Sequence, residues 1–101
     1  MKIKAKVWLE KEGELVFGTG KYNILKAVSQ TKSINQAAKK LKMSYRHAWS
    51  YIHSAEKRLG KLLLIKVRGG KEGGGAVLTD YAKELLEKFE KVEKESHSFY
   101  G

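Results

Sequence analysis

Only Lys42 and Met43 separate Leu41, which closes one helical apolar stripe, from Ser44, which opens another. Two helices joined by so short a turn must cross steeply, and that crossing limits the folds open to the chain. The first helix opens at Ser33-Ile34-Asn35-Gln36, a capping-box pattern in which the serine oxygen accepts from the amide three residues on. Ile34, Ala37, Ala38 and Leu41 then recur at the i, i+3, i+4, i+7 spacing of one buried stripe. The two alanines allow another helix to approach closely. The second helix runs from Ser44, its capping residue, to Leu59, with Gly60 as the C-terminal stop. On a wheel of about 100° per residue, Tyr45, Ala48, Trp49, Ile52, Ala55 and Leu59 share one side. Arg46, Ser50, His53, Ser54 and Lys57 fall opposite. Trp49 and the body of Tyr45 are therefore expected to plug the core, while Arg46, His47 and Ser50 look outward.

The flanking segments are read the same way. Residues 2–9 alternate strictly, with Ile3, Ala5, Val7 and Leu9 on one side and Lys2, Lys4, Lys6 and Trp8 on the other, the period of a half-buried strand. A turn at Glu12-Gly13-Glu14 and the run Leu15 to Phe17 complete a hairpin. A helix from about Lys21 to Thr31 buries Ile24, Leu25 and Val28. Residues 63–68 form a strand, GGKEGGG at 69–75 a flexible tip, and Ala76 to Leu78 the returning strand. Thr79 caps a last helix with Asp80 at its positive end, and Ala82, Leu85, Leu86, Phe89 and Val92 supply its stripe until about Ser96. A chain of 101 residues suits one domain, residues 1–101, built on one modest core.

Charge is segregated. Between Lys26 and Lys71 stand twelve Lys or Arg and one acid, Glu56, a net of 12 − 1 = +11. From Glu72 onward four lysines face seven acids, a net of 4 − 7 = −3. A basic middle without matching glutamates points to a polyanionic partner rather than to a lysine-rich stable surface. No cysteine is present, so disulfides and thiolate metal sites are excluded. Lys2, Lys4 and Lys6 interrupt any secretory signal, and the longest aliphatic run, Leu62 to Ile65, is too short for a bilayer. A soluble, cytoplasmic protein is expected. His47 and His53 diverge on their helix, so no metal or other cofactor is expected. Gly18-Thr19-Gly20-Lys21 lacks two anchors of a phosphate-binding loop, which would need glycine at Leu15 and Ser or Thr at Tyr22. No carboxylate pair stands beside a histidine and serine, so the chain reads as no enzyme.

Helix, helix, short turn, helix and basic hairpin is the order of a winged helix-turn-helix domain: α+β, mainly α, with an N-terminal β-hairpin, a C-terminal wing hairpin and a long last helix. In that arrangement helix 44–59 enters the major groove of double-stranded DNA and wing 63–78 reaches backbone or minor groove. Lys39, Lys40 and Lys42 lie near the turn, and Lys66, Arg68 and Lys71 line the wing. Arg46 is the candidate for base reading, because its planar fork spans O6 and N7 of guanine. Lysines supply affinity with little selectivity. Ser44 serves first as a cap, and Tyr45 has a hydroxyl to offer a phosphate.

The run SINQAAKKLKMSYRHAWSYI, then GGKEGGGAVLT and DYAKELL, resembles the N-terminal DNA-binding domain of the ModE-type molybdate-responsive transcription regulators, near the LysR-type winged helices. The resemblance covers about residues 5–92, and MSYRHAW is its most specific element. It implies recognition through Ser44, Tyr45, Arg46 and His47, wing contacts around Arg68 to Gly75, and a homodimer, for which the last helix offers an interface. The resemblance implies that family members typically continue into a C-terminal oxyanion-binding domain, and within the sequence up to Gly101 no molybdate site is expected. A separate effector-domain protein is a compatible partner. Ala82 stands where the family commonly has glycine, a change that touches local packing. The expected function is a sequence-specific transcription regulator. A non-specific architectural DNA binder and a winged-helix protein-interaction module are the alternatives.

Overall fold

The computed structural model describes residues 9–11, 14–67 and 75–100. Strand β1 (Leu9–Lys11) pairs antiparallel with β2 (Glu14–Phe17), with Glu10 opposite Leu15 and Lys11 opposite Glu14. The hairpin expected there is present in this part. The rest of the expected strand, from Lys2 to Trp8, and the turn residues Glu12 and Gly13 lie outside the described residues. Phe17, at the end of β2, is fully buried and carries the hairpin into the core.

Helix α1 (Thr19–Thr31) begins two residues earlier than periodicity suggests, with Gly18 as its N-cap and no side chain capping it. Gly20 therefore lies in its first turn. A Cβ there would stand 3.3 Å from Cε2 of Tyr51, so the absent side chain lets α1 close on the third helix. Ser33 caps α2 (Ile34–Lys40) and Ser44 caps α3 (Tyr45–Leu59), their hydroxyls accepting from Gln36 N–H at 3.1 Å and His47 N–H at 3.0 Å. Gly60 ends α3 at φ 69°, the left-handed geometry that glycine adopts freely.

One cluster of buried side chains joins these elements: Ile24, Leu25 and Val28 from α1, Ile34, Ala37 and Ala38 from α2, and Ala48, Ile52 and Ala55 from α3. Alanines at the crossings keep the three helices close. Full burial of a large aliphatic side chain such as Ile52 contributes roughly 1.5–3 kcal/mol. The stripe that α3 turns inward is Ala48, Ile52 and Ala55, and this corrects the expectation for its aromatics. Tyr45 is 48% and Trp49 37% exposed. At about 100° per residue, Tyr45 lies about 60° and Trp49 about 100° from Ala48, at and beyond the edge of the stripe. They border the core without filling it.

Strands β3 (Leu64–Val67) and β4 (Gly75–Leu78) pair antiparallel, Leu64 opposite Leu78 and Val67 opposite Gly75. Ala76 and Leu78 point inward, while Ile65 and Val67 are exposed on the other face. The tip between them lies outside the described residues. β4 is held to the body where Ala76 N–H donates to Lys32 O at 3.0 Å. Thr79 caps α4 (Asp80–Tyr100): Ala82 N–H donates to its hydroxyl at 3.1 Å, and that hydroxyl donates to Leu62 O at 2.8 Å. Ala82, Leu86 and Phe89 of α4 are buried, but Val92 is 48% exposed, and the helix continues past Ser96 to Tyr100. Its stripe thus leaves the core after Phe89.

Helices α1 and α4 meet in an aromatic and ionic seam. Phe89 meets Phe17 edge-on at 5.3 Å and stacks on Tyr22 at 5.1 Å. The Tyr22 hydroxyl donates to Glu90 Oε2 at 2.7 Å, and Lys26 Nζ reaches the same oxygen at 3.3 Å. Burial, and then the bond to Glu90 and the carboxylates of Glu90 and Glu93, push the Tyr22 phenol up to about 12. The bond from Tyr22 holds the Glu90 carboxyl below its ordinary range against the effect of burial, with Lys26 assisting.

Candidate nucleic-acid interface

The α2–α3 turn is built by backbone bonds. Lys42 N–H donates to Lys39 O and Met43 N–H to Ala38 O, at 3.1 and 3.0 Å, the paired bonds of a Schellman ending. Lys42 occupies the left-handed position of that motif at φ 57°, where glycine is usual. Met43, one residue further, packs against the core, which fixes the entry of the chain into α3. The sequence therefore spends a strained backbone position on a lysine at the mouth of the turn.

From that turn the outward side chains follow. Ser44, Arg46, His47 and Ser50 are exposed on the first half of α3, as are Lys39, Lys40 and Lys42 before it and Lys66 on β3. Arg46 forms no ion pair or side-chain hydrogen bond among the described residues. Its guanidinium is free to pair with an external acceptor. Lys40 Nζ donates to Gln30 Oε1 at 2.6 Å, an exposed contact to an uncharged amide that leaves the lysine's charge uncompensated. Arg68 and Lys71 lie outside the described residues. Tyr45, expected against the core, instead joins the exposed set. The rings of His47 and Tyr51 lie 4.6 Å apart, and Lys21 Nζ stands 5.7 Å from the Tyr51 ring. Burial lowers the Lys21 ammonium from its ordinary value.

Glu56, the single acid of the basic stretch, does not oppose this charge on the surface. Its Oε2 accepts from Leu63 N–H at 2.7 Å and Leu64 N–H at 3.3 Å, and its Oε1 lies 3.3 Å from His53 Nδ1. The side chain is 11% exposed. Thr79 N–H donates to Leu63 O at 3.0 Å, so the root of the β3–β4 hairpin is gripped on both sides. His53 in turn lies over Trp49, ring centroids 3.8 Å apart. The sequence reading missed Glu56 and Trp49 as parts of this face. The signal for Glu56 was its isolation among twelve cations, and for Trp49 its offset from the Ala48–Ile52–Ala55 stripe.

Two capped helices crossing at a tight turn, a hairpin bound to the second of them, and a cationic outer face define a winged helix-turn-helix domain of the DNA-binding kind. Residues 20–83 match the bacterial regulatory helix-turn-helix proteins of the lysR family, and the chain belongs to that family. It is similar to the transcriptional regulator ModE of Haemophilus influenzae, 42% identical over 76% of this chain and 31% of that protein. Against the DNA-binding transcriptional dual regulator ModE of Escherichia coli it is 31% identical over 89% of this chain and 34% of the relative. The chain thus spans about a third of the length of the curated relatives it matches. Among solved structures, the CbnR_DBD-DNA complex matches at TM-score 0.61 and 23% identity, over 76% of this chain and 83% of that one. ArgP from Mycobacterium tuberculosis matches at 0.60 and 21%, over 80% of this chain and 29% of that one. The fold expected from sequence, winged helix with wing hairpin and long last helix, is the fold observed.

Proposed function

We propose that the chain is the DNA-reading domain of a transcription regulator, a single unit that places α3 in the major groove and the β3–β4 wing on backbone or minor groove. The observation that carries this is Arg46: exposed, unpaired among the described residues, and in the first turn of a helix anchored from behind by Ala48, Ile52 and Ala55. Arg46 takes the guanine-reading role, with Tyr45, His47 and Ser50 beside it, and Lys39, Lys40, Lys42, Lys66, Arg68 and Lys71 neutralise phosphates. Ser44 presents the helix end whose amides favour an anion. The relatives named as transcriptional regulators support regulation over an architectural role.

The domain acts without catalysis or cofactor, in the cytoplasm, and pairs as a homodimer through α4. Val92, exposed beyond the last core residue of that helix, supports this pairing. One module of this size also buries little surface for tight specific binding. Selection of bound duplexes from a random pool tests both points. A two-fold symmetric consensus is the expected outcome, and Arg46→Ala relaxes preference at one base pair per half-site by about 2 kcal/mol. Even weakening on every sequence would return the reading to an architectural binder.

A further inference from the structure

We propose that Trp49 is a specificity-determining residue of the α3 face, its indole meeting the 5-methyl group of a thymine in the major groove. This rests on the DNA-binding reading above and goes beyond Arg46. Trp49 is an exposed large apolar side chain on a helix whose other outward residues are polar or cationic. Tyr45, one turn earlier, is exposed with it, so the two make a short aromatic ridge along α3. On the wheel Trp49 lies about 60° from Arg46, on the flank that carries Glu56 toward the wing root.

The ridge is held in place. His53 packs over the indole at 3.8 Å, its Nδ1 stands 3.3 Å from Glu56 Oε1, and Glu56 is itself bound to the backbone of Leu63 and Leu64. Each contact restricts the next, so the indole loses little freedom when it meets a partner. A preorganised apolar surface beside a guanidinium fits the mixed edge of the major groove, where thymine shows a methyl group and guanine two acceptors. Phosphate cannot reward an indole face in this way, and the charge of the surrounding surface disfavours a cationic protein partner.

The test uses the full chain and a duplex selected from the random pool. Each symmetric pair of thymines is replaced by deoxyuridine, which removes the methyl groups and leaves every hydrogen-bonding edge intact, and affinity is read by fluorescence anisotropy. The wild-type protein is expected to weaken about fourfold per half-site at one thymine position, the effect of uncovering one methyl group. Trp49→Ala should be indifferent to the same replacement while its salt dependence stays that of the wild type. If wild type ignores every thymine-to-uracil change, or Trp49→Ala remains as sensitive as wild type, the assignment is overturned. The wild-type comparison needs no folded variant, and Trp49→Gln serves as a second one. Failure to select any duplex, with no salt-sensitive retardation, would instead sink the DNA-binding reading itself.

Discussion

The α1–α4 seam and the α2–α3 face use the same residue types to opposite ends. In the seam, Lys26 and the hydroxyl of Tyr22 converge on one carboxylate oxygen of Glu90, and the aromatic rings of Tyr22 and Phe17 close on Phe89. On the face, Lys39, Lys42, Arg46 and Lys66 have no acidic partner among the described residues, and the aromatic rings of Tyr45 and Trp49 stand exposed. Satisfied groups hold a fold together. Unsatisfied ones of a single sign store affinity for something outside it.

Salt is the strongest way to separate the two regions. With six to eight phosphates neutralised by the face, raising monovalent salt from about 50 to 200 mM should weaken duplex binding by roughly 10³-fold, at a log–log slope of about −6. Thermal stability over the same range should hardly change, because the seam is held mainly by packing. Retardation assays and melting curves on one preparation decide this. Phe89→Ala attacks the seam instead. It should cost about 3 kcal/mol of stability by chemical denaturation and leave the salt slope of the folded protein intact. A changed slope would mean that the two regions are not separable.

Lys42→Gly sharpens the contrast within a single residue. It relieves a left-handed backbone position and should raise stability by about 1 kcal/mol, while removing a cation that lowers the slope by about one. Stability and affinity moving together would refute the dual role. The smallest effect is that of pH on the seam. Glu90 is held below its ordinary 4.5 in the folded chain, so its contribution is present above that pH and lost as pH falls beneath it. Tyr22, raised to about 12, contributes fully below pH 10 and loses that contribution as pH climbs toward 12. Because the Lys26–Glu90 pair is about 40% exposed, the acid-side loss should stay under about 1 kcal/mol. Melting temperatures between pH 6 and 3 should fall less steeply for Glu90→Gln than for wild type.

Helix starts were legible because a hydroxyl and the amide three residues later are a local pair: Ser33, Ser44 and Thr79 all cap as their spacing suggests. Gly60 and the hairpin of β3 and β4 were equally local. Trp49 was not, because periodicity gives a direction but not the width of the buried stripe, and three small or branched residues suffice to fill the space behind α3. The early start of α1 was hidden for a related reason. The apolar periodicity starts only at Lys21, and the close approach of Tyr51, 3.3 Å from where a Cβ of Gly20 would stand, is a contact distant in sequence that no local pattern carries. Of the candidate site, the exposure of Arg46, His47 and Ser50 follows from the helical wheel of α3, and that of Lys39, Lys40 and Lys42 from their place at the turn. The grip of Glu56 on Leu63 and Leu64 is a tertiary fact that no local pattern carries.

That grip gives the molecule something like a fixed caliper. With the hairpin root fastened to α3, a change in the spacing between the two would break the carboxylate's bonds to Leu63 and Leu64. Under the proposed docking of both arms, B-form and A-form duplexes should therefore be bound unequally before any base is read.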